Sequence, residues 1–412
     1  MSSLENAVLS VIEKEFSSQK IFRILFENKL KSYGINLNQK QIEKLENVDL
    51  DHIETFELEL TESQESRLSN KSEIREDKLS IEFSDADFGE IEKLIEESTD
   101  IVIAETLVYL SRKMVQEWKS QSRWLLLKEN FTRSRFNKKV AQVWRKPFNS
   151  LEMFIEVCFD NCVEFCTKHQ TENDVVFNTV RRLQIRATQI GYEILSLMRA
   201  GFADGAMARW RTLHETAVIS LFIAKHGEEV AERYLEHTTI ANYKEMVEYK
   251  KYHEILGEKP LSEDEFNRMK DAKEKLCEKY GKNFYSDYGW ASSVLSDSPK
   301  FEPKFPIIEK DVGQEYLRPY YKFSNINIHT GSKSILFQLG MPNNENLSLA
   351  GPSIFGHADP GQNTAISIFL AAISLLQLKS EFDIAALLLA LQEIRDQVFD
   401  EFIETHNVLE SK

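Results

Sequence analysis

Glycine and proline are scarce in this chain, 15 and 9 in 412 residues. With so few places to turn or break, long uninterrupted elements are expected. Cysteine is scarcer still. Cys158, Cys162, Cys166 and Cys277 are too few for a disulfide framework in a chain of this length, and they fit a reducing, cytoplasmic setting. No apolar run is long enough to cross a membrane: the longest, Ala365 to Leu378, falls short of the roughly 20 residues a span needs and is closed by Lys379, Glu381 and Asp383. It reads as a buried helix, and no membrane partner is expected. The opening Met1-Ser-Ser-Leu-Glu-Asn has no basic start and reaches Glu13 and Glu15 without an apolar core, so no secretory signal is expected.

Several catalytic motifs are missing as well. Gly351-Pro-Ser-Ile-Phe-Gly356-His lacks the Lys-Ser/Thr of a phosphate-binding loop, and neither His-Glu-x-x-His nor Gly-x-Ser-x-Gly occurs. Nucleotide hydrolysis is disfavoured and no cofactor is expected. Cys158, Cys162 and Cys166 recur every fourth residue, which on a helix spreads three thiols over about 12 Å. Structural zinc sites use closer pairs, so these read as packing residues. A Glu215, His237 and His329 metal set suits several divalent ions, but the paired Glu-x-x-His motifs of di-iron bundles are absent, and no metal is assigned.

What is present is helical periodicity and uneven charge. The net charge is −15, and residues 1–100 hold 24 Asp and Glu against 12 Lys and Arg. The expected fold is mainly α: a small acidic α+β N-terminal module over residues 1–98 and a large multi-helix domain over 99–412. In the module, residues 4–33 carry apolar residues at helical spacing up to Gly34, whereas Glu54–Leu60 and Leu79–Phe83 alternate apolar with polar. Ser84-Asp-Ala-Asp offers N-caps for the next helix. Farther on, helices are expected over Asn173–Ala200, ending at Gly201, and Asp204–His226, ending at Gly227. A third is expected from Glu228 to about Tyr252. Breaks are expected at Pro147, Gly257–Pro260, Gly281–Lys310 and Leu339–Gly361. The acidic module is a candidate surface for a protein partner, and the chain as a whole is a candidate homo-oligomer.

The residues able to carry chemistry lie in three stretches. In Asp204–His226, His214 falls inside the apolar stripe around Trp210, within about 40° of it at 3.6 residues per turn. Arg211 and Glu215 sit one turn apart on a flank shared with Val218 and Phe222, where a pair would be partly desolvated. In the next helix His237 shares a face with Val230, Tyr234 and Ala241. In Tyr320–Gly331, Ser324, Asn325 and His329 lie close to one face. Two imidazoles, a guanidinium and a carboxylate suit acid/base chemistry on an anion, since imidazole titrates near neutrality. Separately, Ser111–Lys146 holds 11 Lys and Arg against Glu117 and Glu129, with Trp118, Trp124, Phe131, Phe136 and Trp144 interleaved. Cations and rings together suit RNA; a solvated basic face is the plainer reading.

Ala208-Arg-Trp-Arg211-Thr-Leu-His-Glu215, Ala231-Glu-Arg-Tyr-Leu-Glu-His237, Tyr288-Gly-Trp290 and Tyr321 through His329 resemble a bacterial helical family known only as a domain of unknown function, over about residues 151–412. That resemblance implies Arg211, Glu215, His237, Tyr288, Trp290, Ser324 and His329 as family positions and brings no activity with it. Arg209 and His214 are also similar in spacing to the Arg–His motif of the HEPN nucleases of toxin and phage-defence systems, with Trp210 where that family places a polar residue. Together these readings lead to the expectation of a nuclease-like or toxin-like effector of phage defence cleaving RNA without a metal. Arg211, Glu215, His237 and His329 would be catalytic, with Tyr288, Trp290 and Ser324 binding. The competing expectation is a non-enzymatic binding or scaffold protein in which the same Arg, Glu and His residues form a buried structural network.

Overall fold

The computed structural model describes residues 17–48, 57–68, 74–75, 78–79, 81, 85–169, 173–296, 298, 301–329, 331–341, 349–379 and 381–411. It divides into two units, Met1–Asn130 and Phe131–Lys412. The division drawn from composition at residue 98 falls within a helix that continues past it.

In the first unit, α1 (Ser18–Ser32) starts where the Ser17 side chain accepts from the Lys20 amide at 3.2 Å. Residues 4–16 of the expected helical pattern lie outside the described residues. Helix α2 (Gln39–Glu46) opens with a reciprocal Asn38–Gln41 capping box, and α3 (Glu62–Leu68) follows. Leu58 and Leu60 alternate as a strand would, yet they pack on Leu30 and Ile35 in irregular chain. Alternation buries one face with or without a ladder partner, so the strand expected over Glu54–Leu60 is absent from its described part, residues 57–60. The strands described are two residues each, β1 (Ile74–Arg75) antiparallel to β2 (Lys78–Leu79). Of the expected Leu79–Phe83 strand, only Leu79 is among them.

Helix α4 (Asp85–His169) begins at the predicted caps and runs on through Pro147. The expected break there is absent: Trp144, Phe148, Leu151, Phe154 and Ile155 are almost wholly buried on either side, and their packing holds the helix past the lost amide donor. In the same row Cys158 and Cys162 are buried free thiols, so they are packing residues. Among the described residues no group of His, Cys, Asp or Glu could hold a metal ion.

Next come α5 (Val175–Arg199), α6 (Ala203–His226), α7 (Glu228–Glu236), α8 (Thr238–Tyr252) and α9 (Glu263–Tyr280). The α5–α6 joint is the predicted one. Gly201, at φ 85°, and Phe202 direct their amides to Met198 and Leu197, closing α5 with the left-handed turn glycine favours. The helix expected from Glu228 to Tyr252 is instead two, broken at His237. The turn-rich span 281–341 holds α10 (Ser292–Leu295), α11 (Phe305–Asp311), α12 (Arg318–Ser324) and α13 (Ser332–Leu336) among short 3-10 turns. Two long helices finish the unit, α14 (Ala358–Leu376) and α15 (Phe382–Glu410).

The core lies where α5 and α14 pack along α6 and α15 covers α14. Sixteen positions of α14 are buried, as the longest apolar run predicts. No described helix is long and apolar enough to cross a membrane. The fold is mainly α.

Candidate functional site

Helix α6 is the centre of the site because it is buried on one face and half-open on another. Trp210 and His214 stack with ring centroids 5.3 Å apart, and both are fully buried. The Trp210 indole N–H donates to Asn363 O at 2.9 Å and to Ser367 Oγ at 3.0 Å, both on α14. One turn around the helix, Arg211 and Glu215 keep about a quarter of their side-chain surface open and pair at 3.3 Å.

Tyr321, on α12, completes this pair. Its hydroxyl accepts from Arg211 Nη2 at 2.6 Å and donates to Glu215 Oε1. The Arg211 guanidinium lies 4.6 Å from the centre of the same ring, and that of Arg318 lies 5.2 Å from it. Burial, and then the hydrogen bond to Glu215, push the Tyr321 phenol well above its usual range, so it stays a donor. Deeper in, Arg318 pairs with Glu309 of α11, and the other Glu309 oxygen accepts from His214 Nε2 at 2.8 Å. Glu309 and His214 are both at zero exposure. A carboxyl buried to this degree would be strongly destabilising without its cation and donor. Phe305 seals the group, 4.9 Å from the Tyr321 ring and 5.9 Å from that of His214.

Tyr288 approaches from the 281–292 segment. Burial pushes its phenol up to about 12, with Glu215 adding to the shift and Arg211 opposing it. Its position is set by Gly289 and by α7. A Cβ on Gly289 would stand 2.3 Å from the Asn283 carbonyl oxygen and 2.5 Å from that of Phe284, so only glycine lets the turn close. Arg233, almost fully buried on α7, donates through Nε to Trp290 O at 3.0 Å and through Nη2 to Ser292 Oγ at 2.9 Å. His237 donates through Nε2 to Ser286 O at 2.9 Å. Burial lowers the His237 pKa, with the bond to Ser286 opposing the shift.

The sequence candidates therefore separate. Arg211 and Glu215 are together, and Tyr288 senses both. His237, expected to be catalytic, stands at the α7–α8 break and fastens the loop that carries Tyr288. His329 is exposed just past α12, and no contact joins its side chain to the Arg211–Glu215 pair. Trp290, expected to bind ligand, is core: it is 3% exposed and packs edge-on against Phe222 and Tyr234. Ser324 is buried, and its hydroxyl donates back to Tyr321 O at 2.7 Å, which holds the end of α12. Arg209 pairs with Glu193 on α5 while His214 pairs with Glu309, so these two engage different helices. Of the rings in the basic stretch, Trp118, Trp124 and Phe131 are exposed. Trp144 is fully buried, with its N–H on Ile354 O at 2.7 Å.

Glu309, Arg318, Tyr321 and Arg233 escaped the sequence reading. Glu309 and Arg233 look like the polar members of short amphipathic helices, and only their partners from other elements show them to be inward. The available signals were Tyr321, conspicuous beside Tyr320, and Arg233, each inside a motif already singled out.

The fold and site define a helical domain whose half-open face carries an Arg–Tyr–Glu cluster backed by a buried Glu–His pair. Residues 177–346 match the model of a family of unknown function (DUF5677), so over that stretch the chain is similar to that family. Arg211, Glu215, Tyr288, Glu309, Arg318 and Tyr321 all fall inside it, whereas α14 and α15 lie beyond its end. No curated protein matches the chain, and no solved structure does.

Proposed function

We propose that the helical domain is a non-enzymatic binding or scaffold unit, in which Arg211, Glu215, Tyr321, Arg318, Glu309 and His214 form a polar network that fixes α6 against α11 and α12. One observation carries this reading. The Tyr321 hydroxyl lies between Arg211 and Glu215 while its ring lies near both guanidinium groups, so the groups that would work on a substrate already engage one another. Specifying register is a use to which buried polar groups are put, because any slip would strand a buried carboxyl without its donors.

The test uses the purified full chain with labelled RNA, single-stranded DNA and nucleotides, alongside thermal melting of Glu215→Gln and Tyr321→Phe. The expected result is no turnover and a lowered melting temperature in both variants. Turnover of RNA by the parent chain, lost in either variant while its melting temperature holds, would replace this reading with a catalytic one.

The second reading is the nuclease-like or toxin-like effector of phage defence. It is favoured by the exposure of Arg112, Lys113, Lys119, Arg123 and Lys128 beside Trp118 and Trp124 on one helix, an arrangement suited to backbone phosphates and stacked bases. On that reading Arg211 would stabilise the phosphorane of a metal-independent cleavage. RNA affinity that falls steeply with salt, together with cleavage, is its signature.

A further inference from the structure

Between Ile103 and Leu127, α4 exposes large apolar side chains along its length: Ile103 52%, Leu107 61%, Met114 49%, Trp118 62% and Leu125 66% exposed. Their positions are ordered. At 3.6 residues per turn, Ile103, Leu107, Leu110, Met114, Trp118 and Leu125, with Gln121 among them, fall within about 80° of arc over about 33 Å of helix. The step from Ile103 to Met114 to Leu125, repeated from Leu107 to Trp118, is eleven residues, and that period keeps a stripe nearly straight. Arg112, Lys119 and Arg123 lie on the far side. Val108, Tyr109, Val115, Trp124, Leu126 and Leu127 are exposed outside this arc, so the stripe is the most continuous row of a wider apolar surface.

We infer that the seam is covered by the same seam of a second copy of this chain, running antiparallel about a two-fold axis near Met114. Two features select that occupant. A two-fold at Met114 sets Ile103 against Leu125 and Leu110 against Trp118, so apolar residues meet in every layer except that of Leu107 and Gln121. Lys113 and Glu117 stand on one flank of the seam, and an antiparallel pair brings like flanks together, so each copy's Lys113 meets the other's Glu117 twice over. In a parallel pair that flank would face Ser111, Val115 and Ser122, which carry no charge to answer it. The inference does not depend on how the Arg211 cluster is read.

Sedimentation equilibrium of the full chain, from low to high micromolar concentration, tests it. The expected mass is twice the 47.8 kDa of one chain. Leu107→Glu with Leu125→Glu should raise the dimer dissociation constant on the order of a hundredfold or more without altering the helical circular dichroism, since both side chains are exposed. Geometry is read by cysteine pairing with copper–phenanthroline as oxidant. Met114→Cys should link to itself, Ile103→Cys should link only when mixed with Leu125→Cys, and the parent chain with its own four thiols is the control. A monomer at every concentration would overturn the inference. So would association that disappears when nuclease removes co-purified nucleic acid, or self-linking of Ile103→Cys as readily as of Met114→Cys.

Discussion

The hydroxyl of Tyr321 is the atom on which the half-open cluster turns, since it takes a hydrogen bond from Arg211 and gives one to Glu215. Tyr321→Phe keeps the ring and its two cationic neighbours and removes only that link. The expected loss is about 1–2 kcal/mol, read as a shift in urea midpoint at unchanged slope. Glu309→Ala strikes deeper, leaving His214 without its acceptor and Arg318 without its counter-charge. Its expected loss is about 3–5 kcal/mol, enough to remove much of a domain's stability. A denaturation midpoint within error of the parent's would show that the buried pair does not hold α6 to α11. A third residue governs the response to acid. His357 is fully buried between Trp144 and Phe148, and burial holds its imidazole down to about 4, with its bond to Ser353 O opposing the shift. Because the folded value lies below the unfolded value of 6.5, its contribution is complete above pH 6.5 and is lost as pH falls toward 4. That loss amounts to about 3 kcal/mol. His357→Gln should flatten the stability curve between those limits, and an unchanged slope in the variant would reject the assignment.

At the scale of elements, the site depends on how the 281–292 segment is fastened. Arg233 and His237, from the end of α7, hold three of its groups, and Gly289 lets its backbone close on Asn283 and Phe284. Gly289→Ala should therefore destabilise the domain by about 1–3 kcal/mol through overpacking and shift the near-ultraviolet signal of Trp290 and Tyr288. Gly331→Ala is the matched control. Its φ is ordinary and nothing stands within 4 Å of the added carbon, so its melting temperature should stay at the parent value. Equal effects of the two substitutions would remove the close-approach explanation of the Tyr-Gly-Trp motif.

At the scale of the whole molecule, protection from hydrogen exchange should be graded by burial. Helix α14 is buried along almost its entire length, and its amides should be the slowest, opening only with global unfolding. The 103–127 stretch of α4 makes its hydrogen bonds in full view of solvent and should exchange among the fastest of the helical amides in dilute solution. If the seam is self-covering, that stretch alone should gain protection as concentration rises. Slow exchange there at every concentration would contradict its exposure.

By itself the sequence determined the helical character of this protein and most of its joints. Those depend on local quantities: the 3.6-residue recurrence of apolar side chains, the scarcity of glycine and proline, and glycine at φ 85° after Arg199. It also brought Arg211 and Glu215 together, because residues one turn apart on a helix are neighbours whatever the rest of the chain does. The assignment of His237, His329 and Trp290 needed more than periodicity. Periodicity says that a side chain turns inward, and only tertiary structure says what it meets there, as when His237 meets a backbone carbonyl and Trp290 meets two aromatic rings. Glu309, Arg318 and Tyr321 became members of the cluster for the same reason. The partners of Glu309 and Tyr321 lie on α6, about 95 to 110 residues earlier in the chain, with Arg318 joined to them through Glu309, and no pattern within a short helix records a contact that packing alone creates.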